Sequence, residues 1–276
     1  MNRQLILSLW YAALWLAALS ACQRESASPQ ASAPADPPAP AAPIVAAVAP
    51  LQDVIERDPR YVIGITYPPA ASKYPGLATE LRGYADAARA DLMEAVQAMG
   101  ERKPSAPYDL SLSFNTVVDT PKIIAIAADG SSYTGGAHGN LLVARFVWLP
   151  EQDKRLKASE LVADARSWRD ISDYVREQLH AALSQRIDAD ELPPAERADM
   201  MRSAGKMIDE GSQPQADAFD LFEPVLGADG RITALRFVFP PYQVGPYADG
   251  TQSVEVPARV LRQHVAPAYR ALFAGA

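Results

Sequence analysis

The sequence predicts an α+β fold, a two-part domain of antiparallel sheets with packed helices in the order β-α-βββ-α-βββ-α. Three observations carry it. Short stretches alternate apolar with small or polar residues, the period of a half-buried strand. Longer stretches repeat apolar residues at steps of three and four, the period of a helix with one buried face. The strands come in runs separated by short Pro and Gly breaks, and they do not alternate with helices as in a doubly wound parallel sheet.

Each element follows in order. "RYVIGITYP" at 60–68 reads as a strand ended by Pro68 and Pro69. A long helix over 77–102 buries Leu77, Leu81, Tyr84, Ala88, Leu92, Ala95 and Met99. Strands at 108–119, 122–129 and 140–150 then form a meander. From Leu156 the pattern turns helical, over 156–162, 167–187 and 194–211. Within the second of these, Trp168, Ile171, Val175, Leu179 and Leu183 share a face, and His180 beside it is a packing or surface histidine. Two strands flank a hairpin turn at Gly227–Gly230, a further strand runs over 252–257, and a helix over 258–274, bent at Pro267, closes the chain. The expected division is 51–155 for the first part and 156–276 for the second.

The first fifty residues specify an address. Arg3 precedes an apolar run of 15 residues, 5–19, which suits a secretory leader over 1–21 and is short for a span of about 20. "LSAC", Leu19 to Cys22, resembles the bacterial lipobox, so Cys22 is expected to carry lipid (palmitate among its acyl groups) and to become the mature N-terminus. Cys22 is the only cysteine in the chain, which removes disulfide frameworks, cysteine zinc sites and cysteine nucleophiles. Gln23 in place of Asp points, by resemblance to Gram-negative lipoproteins, to the periplasmic face of the outer membrane. Residues 22–50 form an Ala/Pro-rich tether: Ala supplies 10 and Pro 7 of the 28 residues after Cys22, too little bulk to build a core. The lipid bilayer is thus one expected partner.

Charge narrows the others. Without the leader, 25 basic residues stand against 33 acidic ones, a net of −8. Nucleic acid is excluded by that balance, whereas a cationic protein would be attracted.

Two stretches stand out as candidate sites, "SSYTGGAHGN" at 131–140 and "FVFPPYQVGPYADGTQSVEVP" at 237–257. Asp129, Ser131, Ser132 and His138 lie within ten residues, yet triads assemble from separated parts of a fold, and no Gly-x-Ser-x-Gly elbow occurs. His138, His180 and His264 are 42 and 84 positions apart, so no metal or other cofactor is expected. "GGAHG" can serve as a connection whose imidazole bonds backbone carbonyls, or Tyr133, His138 and Asn140 can line a recognition surface. In the second stretch prolines stiffen the loop; Tyr242 and Tyr247 offer amphipathic contact area, though tyrosines beside proline also pack inward, as is expected of Tyr242.

Tyr133, Gly135, Gly136, His138, Gly139 and Asn140, with Phe239, Pro241, Tyr242, Gly245, Pro246, Tyr247 and Gly250, resemble one family. It is the RsiV/PdaC-like extracytoplasmic domain, shared by the lysozyme-sensing anti-sigma-V factor and the N-terminal region of a peptidoglycan deacetylase. The resemblance spans roughly 51–276 and implies a two-part α+β fold holding both motifs. It does not carry over sigma-factor sequestration, since no cytoplasmic segment or membrane span is seen, nor deacetylation, which belongs to a separate metal-dependent domain. What it implies is a non-catalytic, lipid-anchored envelope protein that binds a lysozyme-like protein or peptidoglycan through Tyr133, Gly135, Gly136, His138, Asn140, Tyr242 and Tyr247. An envelope hydrolase using the His138 loop is the alternative.

Overall fold

Alternation does produce strands, and they assemble into two sheets. In the computed structural model the described residues are 50–275 apart from 103, 105, 190 and 191. The expected leader, Cys22 and nearly all of the tether lie outside them. A six-stranded sheet runs in sequence order: β1 (Val54–Asp58), β2 (Tyr61–Thr66), β3 (Tyr108–Asp119), β4 (Ile124–Tyr133), β5 (Asn140–Leu149) and β6 (Lys154–Arg155). The smaller sheet is a meander of β7 (Phe222–Leu226), β8 (Ile232–Phe239) and β9 (Gln252–Pro257). The α+β class is therefore correct.

Three features of the large sheet differ from expectation, the first being the two-residue β6, which lies outside every predicted strand. Strand β1 is an addition, joined to β2 by a tight turn in which Asp58 Oδ1 accepts from the Arg60 N–H at 2.9 Å. Its Ile55 faces solvent at 73% exposure, which spoils the alternation that would have announced it. Strands β2 and β3 pair in parallel. Helix α1 (Pro75–Met99) connects them, and a helical crossover returns the chain to the same end of the sheet.

Both faces of the sheet centre are covered. On one side α1 packs Leu77, Leu81 and Leu92 against Leu110, Phe114, Ile124 and Phe146. The buried stripe of α1 runs through Ala85 and Val96, whereas Tyr84 and Ala95 are only half-buried at its margin. On the other side Ala125, Val147 and Leu149 join a core with the remaining helices and the small sheet. Those helices are α2 (Ala158–Leu161), α3 (Trp168–Ala189) and α4 (Pro194–Gly211). Trp168, Ile171, Val175, Leu179 and Leu183 of α3 are all buried, as their spacing requires. Trp168 stacks on Phe219 at 5.2 Å between centroids, and Phe219 meets Phe237 edge-on at 5.2 Å.

The closing helix is much shorter than expected. Helix α5 is a single turn, Ala258–Leu261, followed by a 3-10 stretch at Pro267–Leu272. Pro267 restricts Ala266 to extended backbone, and the Ala266 N–H turns away to the Leu161 carbonyl at 2.8 Å. The chain then lays Phe273 beside Ile232 of β8 in a parallel bridge.

One buried ion pair locks the layers together. Arg145 on β5 and Glu223 on β7, each 8% exposed at the side chain, approach to 2.5 Å, and Arg145 also bonds Asp129 at 2.9 Å. Because β7 is held against β5 here, the connection leaving β4 comes beside the one leaving β8.

Candidate functional site

The β4–β5 connection, residues 134–139, turns on two glycines. Gly135 and Gly136 have φ of 98° and 103°, a region that side-chain-bearing residues rarely enter. The turn is closed by Tyr133, whose hydroxyl donates to the Gly136 carbonyl at 3.2 Å. Ser132 pairs with Asn140 across the hairpin, and Asn140 is exposed. His138 follows on the exposed side of the loop, its Nδ1 3.0 Å from the Gly139 carbonyl. A carbonyl only accepts, so Nδ1 is the donor in this contact.

The β8–β9 connection supplies the groups that meet it. The Tyr242 hydroxyl lies 3.3 Å from His138 Nε2, within hydrogen-bond distance. Tyr247 lays its ring on the imidazole, centroids 4.1 Å apart and planes 21° from parallel, and its hydroxyl donates to the Gly139 carbonyl at 3.1 Å. The two tyrosine rings stand 5.8 Å apart. Such ring pairs contribute about 0.5–1.5 kcal/mol beyond area burial. Two loops far apart in sequence thus form one aromatic surface with three polar handles.

Beneath that surface the second loop is firmly fastened. Gln243 donates its side-chain amide to the carbonyls of Gly211 and Ala218, both at 2.9 Å. A Cβ at Gly211 would overlap the Gln243 carbonyl, so the last residue of α4 must be glycine for the loop to seat. Val244 is buried, and Asp249 pairs with Arg186 of α3 at 2.9 Å. Tyr242, by contrast, is 59% exposed and holds a φ of 72°. A left-handed conformation at a bulky residue costs about 1–3 kcal/mol and persists only where its surroundings enforce it. Here the Tyr242 N–H donates to the Gly245 carbonyl at 2.8 Å, closing the tight turn that enforces it.

One expectation is corrected by this geometry, that for Tyr242. Tyr242 does not pack inward; it is 59% exposed. His138 is exposed, and its partners are a backbone carbonyl and a tyrosine, not a serine and a carboxylate. His180 bonds Asp209 at 3.1 Å on the α3–α4 surface, and His264 lies 3.3 Å from Asp170. Among the described residues no group of three or more His, Cys, Asp or Glu could hold a metal ion. Sequence reasoning missed Gln243, Gly211, Arg186 and Asp249, whose contacts position the loop. No periodicity marks such residues.

Comparison with known families bears on the same two loops. Residues 55–141 match the family model described as deacetylase PdaC, and residues 161–259 match that described as a protein of unknown function, DUF3298. The chain thus holds a PdaC-like region followed by a DUF3298-like region. No curated protein matches it. Among solved structures, a DUF3298 family protein from Pseudomonas aeruginosa PAO1 is 15% identical, with a TM-score of 0.51 over 82% of this chain and 96% of that one. A DUF3298 family member from Bacteroides fragilis is also 15% identical, with a TM-score of 0.47 over 79% of this chain and 94% of that one. At such identity the likeness concerns the fold. His138 falls within the PdaC match and Tyr242 and Tyr247 within the DUF3298 match, so the aromatic surface is assembled from both.

Proposed function

We propose that this protein is a non-catalytic recognition module of the cell envelope, binding peptidoglycan or a cationic lysozyme-like protein through the His138, Tyr242 and Tyr247 surface. One observation carries the reading: three rings from two separate loops meet at the surface, with the exposed Tyr242 in a strained conformation on a rigid base. A stiff, exposed aromatic patch loses little entropy when it docks, and the hydroxyls and imidazole supply direction. Tyr133, Gly135, Gly136 and Asn140 shape its edge. Net charge of −7 for the whole chain favours a cationic partner at low ionic strength.

In the same reading Cys22 is acylated and holds the module on a tether at the periplasmic face of the outer membrane. Metabolic labelling with palmitate, compared with a Cys22→Ser chain, tests that part. The envelope-hydrolase alternative gains no support from a His138 bonded to a carbonyl and a tyrosine.

Retention of the full chain on immobilised lysozyme and on purified sacculi, across a salt series, tests the binding. Retention of either is the expected result, and salt-sensitive capture of lysozyme would identify charge as the driver. Absence of both removes the proposal.

A further inference from the structure

At the opposite end of the small sheet lies a cleft of about 700 Å³ lined by Arg259, Arg262 and Arg270. Strand β8 enters beside it at Thr233 and leaves at Phe239 toward the tyrosine loop, a length on the order of 23 Å. The cleft is therefore separate from the aromatic surface. Its arginines also differ from most others in the chain. Arg60 faces Asp58, Arg89 faces Glu56, Arg186 faces Asp249 and Arg236 faces Glu255. Arg259, Arg262 and Arg270 face no carboxylate among the described residues, and no acidic residue lines the cleft.

Three arginines with no carboxylate partner among the described residues thus line one concavity of a protein of net charge −7. Gathering like charges is unfavourable unless an anion joins them. Arg270 is already oriented, because its Nε donates to the Val265 carbonyl at 2.8 Å and its two Nη groups stay available. The wall adds the Gln263 amide and apolar surface from Pro257. A guanidinium fork matches phosphate oxygens in pairs, which a carbonyl-rich or neutral ligand would not exploit.

We infer that this cleft binds a phosphate-bearing anion with an apolar portion. The shared chemistry has two sources, a soluble phosphate ester and an anionic phospholipid headgroup, and the test separates them.

The experiment uses the full chain carrying Cys22→Ser, so that acylation at that position cannot mask membrane contact. Glycerol 3-phosphate, read by calorimetry at low salt, is the soluble probe. Vesicles of phosphatidylcholine with and without phosphatidylglycerol, read by flotation, are the lipid probe. Binding of one anionic probe is expected, weakened at least about tenfold by Arg259→Gln with Arg262→Gln, both exposed and free to change without unfolding the protein. The charge-matched pair Arg57→Gln and Arg169→Gln, exposed elsewhere, is expected to bind like the parent. The inference is overturned by no binding of either probe, by an undiminished affinity in the cleft variant, or by an equal loss in the control.

Discussion

The Tyr242 hydroxyl stands 3.3 Å from Nε2 of His138 across 104 residues of chain. That contact joins the two stretches that the sequence singles out, and it turns two loops into one surface. Tyr247 completes it by stacking on the imidazole.

Removing the middle ring should loosen the surface without unfolding the domain. Tyr247→Ala deletes the stack and the bond to the Gly139 carbonyl, with an expected cost of about 1–2 kcal/mol by urea denaturation. The His138 imidazole resonances should shift by NMR. Unchanged resonances would mean that the stack does not persist in solution.

Gly211→Ala is expected to disturb the site from beneath. The added Cβ meets the Gln243 carbonyl, so the loop must move even though Gly211 touches no ring of the cluster. A drop in melting temperature should accompany altered Tyr242 and Tyr247 signals. A variant with the parent's stability and loop spectrum would contradict the close packing described.

Glu223→Ala leaves Arg145 buried with Asp129 as its remaining carboxylate. Losing one side of a buried pair costs about 3–5 kcal/mol, and Asp129 should keep the loss near the lower end. Replacing both, as Arg145→Met with Glu223→Leu, should recover most of the stability in urea denaturation. A double variant as unstable as the single one would show that the pair does more than satisfy its own charges.

The Arg89–Glu56 pair ties α1 to the edge strand β1. The Arg89 guanidinium holds the Glu56 carboxyl below its ordinary range. Glu56 is thus more acidic folded than unfolded, so its contribution is present above the unfolded pKa and fades as pH falls through the folded one. Both groups are partly exposed, and Arg89→Met should cost no more than about 0.5–1 kcal/mol at neutral pH. Thermal denaturation should show that gap closing in acid, as pH falls below the ordinary glutamate range.

How far the sequence reveals these features depends on whether a pattern is local. The face of α3 is legible because Trp168, Ile171 and Val175 recur at helical steps, and the Gly227–Gly230 turn because Gly230 takes a φ of 74°. Strand β1 is illegible because Ile55 faces water. The break in the final helix is only half legible: Pro267 marks it, but the Ala266 bond to Leu161 that redirects the chain is a long-range contact. The candidate site divides in the same way. Its glycines, prolines and rings are visible as motifs, whereas the outward position of Tyr242 depends on Gln243 reaching α4. Such tertiary fastening leaves no periodic trace.

The most direct measurement is retention of a Tyr242→Gly chain on lysozyme and sacculi beside the parent, with melting temperatures recorded for both. Glycine adopts a φ of 72° without strain, so stability should hold or rise by up to about 1 kcal/mol while retention is lost. Equal retention by a folded Tyr242→Gly chain would contradict the assignment of this aromatic surface as the place where the protein binds.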